Sequence, residues 1–395
     1  MKYFKRELED RLEENLSNEK VLVLTGMRRT GKTTLLRRFF DKKAGSNKVW
    51  FDLENPLEAR YFQDVDYNDV FEKIVNYGNL DRNKRIWVFI DEAQNYPEVT
   101  KVVKYLVDHY DIKFILTGSA SYYLKNLFPE SLAGRKRLFE LFPLSFREFL
   151  LFKGENLDRY DKIRQKKQIK LTDYEYYDQH YKEFIKWGGF PEVVLASKQQ
   201  EKKDVLDDVL SSYWQKEIIN LADYRKSDKV RDLLVLLAAR AGSKLDINRL
   251  SQELEVTRAT VYSYLSFLEA TYFIFTISKF SGSADRRISG HDKLYFCDNG
   301  ILRILGQKNE GQLLENSLFN QLRSKNESVL YYEKKTGSEI DFVAGGVGYE
   351  IKRTATESDI KKLKRSMKMA GVKKGYVVSL KYVEDKPDTL FAQFV

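Results

Sequence analysis

Val21–Phe40 reads VLVLTGMRRTGKTTLLRRFF, and this stretch decides the fold of the amino-terminal part of the chain. Four of its residues fit the pattern G-x-x-x-x-G-K-[ST]: Gly26, Gly31, Lys32 and Thr33. An apolar β-branched run, Val21–Leu24, precedes the pattern, and a helical pattern, Thr33–Phe40, follows it. This order of strand, loop and helix distinguishes a phosphate-binding loop from a chance match.

The chemistry of this loop predicts binding of Mg-ATP. Glycines allow backbone N–H groups to converge on phosphate oxygens, and the helix N-terminus adds its positive dipole. We expect Lys32 to reach the β- and γ-phosphates and the Thr33 hydroxyl to hold Mg²⁺. The residues expected to contact the nucleotide are Gly26, Met27, Arg28, Arg29, Thr30, Gly31, Lys32, Thr33 and Thr34. A basic turn before an ordinary helix is the alternative interpretation.

A second stretch, Ile86–Gln94, reads IWVFIDEAQ and favours the nucleotide interpretation. Its apolar part is typical of a buried parallel strand. We expect Asp91 to hold the Mg²⁺ shell and Glu92 to orient and polarise an attacking water; two solvated acids at a strand end are the alternative. A third strand ends at Thr117, whose hydroxyl we expect to contact the γ-phosphate. A helix N-cap at Ser119, close behind it, is the alternative interpretation of this strand end.

Composition sets broad limits on the class of protein. A length of 395 residues predicts two or three domains, and 43% hydrophobic residues suffice for packed cores. A net charge of +10 is compatible with a nucleic-acid or acidic partner. The single cysteine, Cys297, excludes a disulfide within the chain and predicts a reducing, cytoplasmic location. No apolar run has transmembrane length, so we expect no membrane association, and the charged N-terminus is unlike a signal peptide.

Strand and helix patterns alternate up to about residue 150, which predicts a parallel sheet covered by helices. The overall expectation is an α/β chain with a P-loop NTPase domain, a helical and winged-helix middle region, and a restriction-endonuclease-like α/β domain. The expected boundaries are 1–155 for the AAA-like ATPase domain, 156–225 for a helical connection, 226–285 for the winged helix and 286–395 for the last domain. Strands are expected at Val21–Leu24, Lys48–Leu53, Ile86–Ile90, Lys113–Leu116 and Arg137–Leu141, with helices at Val99–Tyr110 and Ser121–Leu127.

Residues 230–280 resemble a helix-turn-helix followed by a wing. Asp246 opens one short helical pattern, and Thr257 caps a second that extends to Glu269. Helical spacing predicts that Val261, Leu265 and Leu268 face the core. The residues expected on or near the exposed face are Arg258, Thr260, Ser263 and Ser266. These side chains could contact double-stranded DNA, although such units also serve as lids or docking modules.

A second group of charged residues lies near the C-terminus. Asp341 sits in a predicted strand, and Glu350 and Lys352 share one face of the next strand. Two carboxylates can hold a divalent metal that activates water, and a lysine can stabilise developing charge. Glu315, on the preceding helix, could add a ligand. This D…E-x-K order is that of restriction-endonuclease-like folds; a hairpin with a salt-bridged face is the alternative.

The helix that follows is strongly basic. Its cations and those just after it are Lys361, Lys362, Lys364, Arg365, Lys368, Lys373 and Lys374. Such a run is usually a solvated face, and a surface for phosphate backbones is the sharper interpretation.

The chain as a whole resembles a prokaryotic family of AAA-type ATPases that join an AAA-like domain, a winged-helix region and a restriction-endonuclease-like domain of unknown function. The matching stretches are TGMRRTGKTTLL (Thr25–Leu36), FIDEAQ (Phe89–Gln94), LTGSAS (Leu116–Ser121), LAGR (Leu132–Arg135), PLSFREF (Pro143–Phe149), GGFPEVV (Gly188–Val194), YFCDNGIL (Tyr295–Leu302) and EIDFV (Glu339–Val343). The resemblance implies ATP binding and hydrolysis. It also implies that Arg135 is an arginine finger, often supplied by a neighbouring subunit in a homo-oligomer; a salt bridge at a strand start is the alternative.

Three functional hypotheses remain open from the sequence. The leading one is a Mg²⁺-dependent ATPase coupled to double-stranded DNA or to a protein partner. The second is a DNA-binding protein that nucleotide switches without turnover. The third is an ATP-regulated, metal-dependent nuclease that uses Asp341, Glu350 and Lys352.

Overall fold

The computed structural model describes residues 3–42, 47–118, 134–166, 168–218, 227–281, 291–306, 309–326, 328–334, 337–384 and 387–395. Its contacts divide the chain into two compact units. One comprises residues up to Phe142 together with Ala270–Tyr272, and the other comprises Pro143–Glu269 and Phe273–Val395. The main segment of the first unit ends at Phe142, whereas the sequence predicts a boundary at residue 155.

The first unit is built on a five-stranded, wholly parallel sheet. Its strands are β1 (Val21–Thr25), β2 (Lys48–Asp52), β3 (Ile86–Asp91), β4 (Ile112–Gly118) and β5 (Lys136–Glu140), in the order β2-β3-β4-β1-β5. All five strands predicted from the sequence are present. Every residue of β1 and β4 is buried, as expected for central strands covered on both faces.

Short helices complete this unit. They are α1 (Leu8–Glu13), α2 (Lys32–Lys42), α3 (Pro56–Ala59), α4 (Tyr67–Gly78) and α5 (Val99–His109), with 3₁₀ turns at Arg60–Phe62 and Ala93–Asn95. One apolar core contains Leu35 and Leu36 of α2, and another contains Val99 and Leu106 of α5. The helix predicted at Ser121–Leu127 lies outside the described residues.

The second unit begins with five helices. They are α6 (Phe146–Phe152), α7 (Leu157–Arg164), α8 (Leu171–Trp187), α9 (Pro191–Leu195) and α10 (Gln199–Tyr213), the last continued by a π-helical turn at Trp214–Ile218. Phe146 and Phe149 of α6 pack in the same buried cluster as Tyr177 and Tyr181 of α8. This packing explains why α6 belongs to the second unit.

Three helices and a strand pair follow. The helices and the first strand lie in the region 226–285 expected to be a winged helix, and the second strand lies beyond it. The elements are α11 (Ser227–Ala239), α12 (Ile247–Glu253), α13 (Arg258–Ala270), β6 (Ile274–Ile277) and β7 (Lys293–Phe296). The two strands are antiparallel, and Lys244 forms a further bridge to Lys293. The residues predicted to face the core from α13 are buried: Val261, Leu265 and Leu268.

The chain ends in a mixed five-stranded sheet. After α14 (Asn299–Ile304) and α15 (Glu310–Lys325), the elements are β8 (Val329–Glu333), β9 (Glu339–Ala344), β10 (Val347–Lys352), α16 (Glu357–Ala370), β11 (Lys374–Ser379) and β12 (Thr389–Phe391), with a 3₁₀ turn at Ala392–Phe394. Strands β8, β9 and β10 form an antiparallel meander, and β11 and β12 add parallel strands in the order β12-β11-β10-β9-β8.

One large apolar cluster joins the helical segment to this sheet. Tyr177 and Tyr181 of α8, Leu318 of α15 and Phe342 of β9 all belong to it, together with Phe394 near the end of the chain. The sequence predicted separate domains for residues 156–225 and 286–395. The shared core makes them parts of one unit.

The Gly188-Gly189 pair has a structural role in this unit. The buried Asp298 carboxylate accepts hydrogen bonds from the N–H groups of Gly189 at 2.6 Å and Gly300 at 2.7 Å. A Cβ on Gly188 would lie 2.0 Å from an oxygen of Asp298, and the φ of Gly188 is +78°. The GGFP and CDNG stretches are therefore two halves of one packing contact.

Candidate functional site

The phosphate loop connects the carboxyl end of β1 to the first residue of α2. Gly26 has φ of +146°, and a Cβ there would lie 2.1 Å from the carbonyl oxygen of Leu141. That neighbour is fixed, because the Leu141 N–H donates to the Thr25 carbonyl at 2.7 Å. Gly31 has φ of +96° at the turn into α2. Glycine is required at both positions by backbone conformation, and at Gly26 by space as well.

The loop is wrapped around the Lys32 ammonium. This group donates hydrogen bonds to the carbonyl oxygens of Gly26 at 3.0 Å and Met27 at 2.9 Å. Thr30 also donates to the Met27 carbonyl, at 2.9 Å. Met27 and Thr30 are buried. Arg28 is half-buried, and the residues exposed on the outside of the loop and the first turn of α2 are Arg29, Thr33 and Thr34.

The acid pair follows β3 at the same edge of the sheet. The Thr33 hydroxyl donates to the Asp91 carboxylate at 3.2 Å, so the two oxygen ligands predicted for Mg²⁺ are adjacent. Burial raises the pKa of Asp91, and the nearby Glu92 and Asp52 carboxylates raise it further, while hydrogen bonds from Thr117 and Thr33 oppose the rise. A hydroxyl and a carboxylate are oxygen donors of the kind that Mg²⁺ prefers.

Glu92 has an unusual backbone conformation, with φ of +51°. Its N–H donates to the Thr117 hydroxyl at 3.1 Å, and its carboxylate accepts a hydrogen bond from the Gln94 side chain. The left-handed turn ends β3 and directs the chain into the 3₁₀ turn Ala93–Asn95. Glu92 is thus held at both its backbone and its side chain.

Thr117 lies beneath the acid pair. It is fully buried, and its hydroxyl donates to Asp91 while accepting from the Glu92 N–H. Its single proton is engaged with Asp91. The expected contact of Thr117 with the γ-phosphate stays a prediction, and Ser119 lies outside the described residues.

Arg135 lies at the opposite edge of the sheet. Its carbonyl accepts from the N–H of Val21, the first residue of β1, whereas the phosphate loop follows the last. A five-residue strand separates the two edges by about 15 Å. Its guanidinium pairs with Asp108 at 2.7 Å. Arg135 does not join the nucleotide site of its own chain, and a role in a neighbouring subunit stays a prediction.

Two residues near the nucleotide loop were not found from the sequence. Arg6 is buried and donates to the carbonyls of Thr30 at 2.7 Å and Phe142 at 2.8 Å, which ties the N-terminal segment to the loop. Asp52 ends β2 in register with Asp91. Its place at the end of a predicted strand could have revealed Asp52, whereas nothing in the local sequence indicates the contact of Arg6.

The second group of charged residues, near the C-terminus, lies at a fork, the point where strands β9 and β10 diverge. These strands pair from Ala344 opposite Val347 to Phe342 opposite Tyr349 and then diverge. Where they diverge, the Asp341 carboxylate accepts the Ile351 N–H at 2.7 Å in place of a backbone carbonyl. The structure thus brings Asp341 next to the strand that carries Glu350 and Lys352.

The acids of this cluster form ion pairs and hydrogen bonds with other side chains of the cluster. Lys352 pairs with Glu350 at 2.6 Å, Lys293 pairs with Glu339 at 2.9 Å, and the Tyr295 hydroxyl donates to Glu315 at 2.8 Å. Sequence reasoning missed Lys293 and Tyr295, which come from the distant strand β7, and Glu339, which begins β9. The internal pairing shows that this cluster has structural partners of its own.

Burial and mutual repulsion favour protonation in this cluster. The pKa of Glu315 is raised to about 7, first by burial and then by Asp341, and the same two causes raise the pKa of Glu350 to about 7. Across the described ranges, no three His, Cys, Asp or Glu side chains are grouped so that they could hold a metal ion. A metal site at Glu315, Asp341, Glu350 and Lys352 therefore stays a prediction.

Comparison with known proteins divides the chain into three matched segments. Residues 18–150 match the model of an AAA domain. Residues 178–311 and 310–390 match two domains of unknown function, DUF8612 and DUF4143. Residues 18–150 are therefore similar to AAA domains. The match covers the phosphate loop and the acid pair described above.

Relatives match most of the length of the chain, and a solved structure resembles its fold. An uncharacterized protein of Methanocaldococcus jannaschii is 28% identical over 375 residues, covering 90% of this chain and 81% of its own length. An uncharacterized protein of Haemophilus influenzae is 26% identical over 360 residues, covering 86% and 85%. A Walker-type ATPase of Pyrococcus abyssi covers 77% of this chain and 96% of its own, with a TM-score of 0.51 and 17% identity, which is a likeness of fold.

Within the described ranges, no helix combines the length and the apolar character needed to cross a bilayer.

Proposed function

We propose that the chain hydrolyses ATP to ADP and phosphate with Mg²⁺ at the phosphate loop. The observation that carries this proposal is the convergence of Thr33 and Asp91, 3.2 Å apart, beside a loop that encloses the Lys32 ammonium. Thr33 and Asp91 would hold Mg²⁺, which when bound neutralises charge on the β- and γ-phosphates.

Each residue of this site would have a distinct task. Lys32 exchanges its loop carbonyl partners for phosphate oxygens. Glu92 accepts the proton of the attacking water as the new P–O bond forms, and the bond to the bridging oxygen breaks to release ADP. The hydrogen bond from Gln94 to one Glu92 carboxylate oxygen orients that side chain.

Two variants and one matched control test this proposal. Lys32→Ala should lose most nucleotide affinity. Glu92→Gln should bind ATP and hydrolyse it slowly, since the amide has a similar shape but cannot accept the proton. Glu98→Gln, at an exposed position on the same stretch, should behave as the unchanged chain. Phosphate release and binding of a fluorescent ATP analogue measure the two effects, and wild-type turnover in Glu92→Gln would refute the assignment.

Arg135 supplies a test of assembly. Since Arg135 lies far from the loop of its own chain, it can complete a site only in a neighbouring subunit. An equal mixture of Arg135→Ala and Lys32→Ala chains should then recover activity that neither has alone, and specific activity should rise with concentration. Activity independent of dilution, in a species shown to be monomeric, would rule out a shared site.

DNA binding by the region α11–α13 and β6–β7 is the proposed coupling. Three helices, an antiparallel strand pair and the bridge from Lys244 to Lys293 support the proposal of a winged helix. Arg258, Ser263 and Ser266 are exposed on α13, which would act as the recognition helix. Arg258→Glu should weaken binding to double-stranded DNA. If DNA fails to bind at low salt with or without ATP, a protein partner becomes the better proposal.

Metal-dependent nuclease activity is a second candidate, favoured by Asp341 in the fork between β9 and β10. The pairing of Glu350 with Lys352 and of Glu315 with Tyr295 counts against it. We expect no cleavage above background with Mg²⁺ or Mn²⁺. Cleavage that disappears in Asp341→Asn while ATP turnover survives would establish the nuclease instead.

A further inference from the structure

Helix α16 has a face on which every exposed side chain from 361 to 368 is a cation. These residues are Lys361, Lys362, Lys364, Arg365 and Lys368, and Lys373 is exposed just beyond the helix. We call these six residues the cationic face.

The opposite side of α16 is fixed to the sheet. Ile360 and Leu363 are buried in a cluster with Ile340, Val343 and Val377. At helical spacing the cations occupy the arc facing away from this cluster. They extend along about 10 Å of the helix axis. The face is therefore rigidly presented, because the helix that carries it is anchored by core packing.

Most of these charges have no ion-pair partner in the part of the chain that the structure describes. Lys364 pairs with Asp388 at 2.8 Å. The other five have no ion pair among the described residues. The helix dipole favours cations only in the last turn, so it accounts for Lys368 and not for Lys361 or Lys362. Like charges held this close repel one another, and a polyanion would relieve the repulsion.

We propose that the cationic face binds the phosphate backbone of duplex nucleic acid, independently of sequence. Lysine supplies point charges that contact phosphates without reading bases. None of the exposed residues from 361 to 374, a range that the structure describes in full, is aromatic. Single strands are bound largely by stacking on aromatic rings, so this face suits a duplex better than a single strand. The proposal does not depend on ATP turnover or on helix α13.

The test compares two triple variants of the full chain. Lys361→Gln, Arg365→Gln and Lys368→Gln remove three charges from the cationic face. Lys101→Gln, Lys162→Gln and Lys203→Gln remove three exposed charges elsewhere, so that the net charge falls equally. Binding of a fluorescent duplex of random sequence, about 30 base pairs long, is measured from about 50 to about 300 mM salt.

We expect the first variant to lose at least tenfold in affinity at low salt. The slope of log affinity against log salt should become shallower by about 2 to 3, since each phosphate contact contributes about 0.9. Three other proteins should keep the contribution of the cationic face to duplex affinity. They are the control triple variant, the single variant Lys32→Ala and the single variant Arg258→Gln. An unchanged slope in the first variant, or binding to anionic vesicles without binding to the duplex, would overturn the proposal.

Both triple variants should hydrolyse ATP at the wild-type rate. Suppose that the chain shows no ATPase activity but the first variant still loses duplex affinity. The proposed ATPase function would then be refuted, and the proposal of duplex binding would stand. Circular dichroism and thermal melting confirm that the variants fold.

Discussion

The Thr117 hydroxyl accepts a hydrogen bond from the backbone N–H of Glu92 at 3.1 Å. The same hydroxyl donates to Asp91, so one buried side chain holds both acids of the nucleotide site. The expected metal ligand and the expected base are thus positioned from the neighbouring strand β4. In this arrangement Thr117 positions the acids, and the acids are the groups expected to act at the nucleotide.

Thr117→Val should therefore slow turnover while leaving nucleotide affinity nearly unchanged. Valine has a similar shape but leaves a buried N–H without an acceptor, which costs about 1–3 kcal/mol. If that cost falls on the transition state, kcat drops by roughly tenfold to a hundredfold. Thr117→Ser restores the hydroxyl and should recover most activity. A change in KM alone would mean that Thr117 acts on the nucleotide directly.

Arg6→Ala should weaken nucleotide binding. The substitution leaves the carbonyls of Thr30 and Phe142 without their donor and loosens the loop from the N-terminal segment. We expect affinity for ATP to fall by about tenfold, measured by equilibrium titration, with a smaller effect on kcat. Lys5→Ala, at an exposed neighbour paired with Asp10, is the control. Equal affinity in both variants would show that the loop is held without Arg6.

Gly188→Ala and Gly154→Ala form a matched pair for the second unit. Both glycines have left-handed φ, at +78° and +84°, but only Gly188 has a neighbour that a Cβ would meet. The strain of φ alone costs about 1–2 kcal/mol, and the conflict with Asp298 should raise the cost at Gly188 to about 3–5 kcal/mol. Urea unfolding measures the free energy of each variant. Equal losses would mean that the Asp298 contact relaxes freely.

The stability of the folded chain should fall as pH rises from about 4.5 to about 7. Burial holds the folded pKa of Glu315 at about 7, against an ordinary value of 4.5, so in this window the native state binds more protons than the unfolded state. Ionisation then costs on the order of 1–3 kcal/mol above pH 7. Glu315→Gln should flatten this part of the pH profile of unfolding, whereas the exposed Glu357→Gln should not. Since Glu350 has the same raised pKa, part of the slope should remain; a slope as steep in Glu315→Gln as in the unchanged chain would assign the effect to other acids.

The local backbone geometry of the candidate nucleotide site was predictable from the sequence. The loop, the strands before and after it and the two acids are contiguous stretches, and each depends on backbone conformation or burial within a few residues. Gly26 and Gly31 adopt the positive φ that the motif requires, and β1 is buried throughout. The order of apolar strands and helices was enough to predict a parallel sheet.

Tertiary structure decided which distant residues meet. Register and strand order set Thr117 beneath Glu92, carry Arg135 to the far edge, and bring Arg6 to the loop. The contact of Gly188 with Asp298 joins positions more than a hundred residues apart, and a single apolar cluster merges two predicted domains. Secondary structure follows from local dihedral preferences and hydrogen bonding, which a short sequence window contains. Pairing across the fold depends on packing that the whole chain satisfies at once, so the sequence determined the elements and the loop, and the tertiary structure decided their partners.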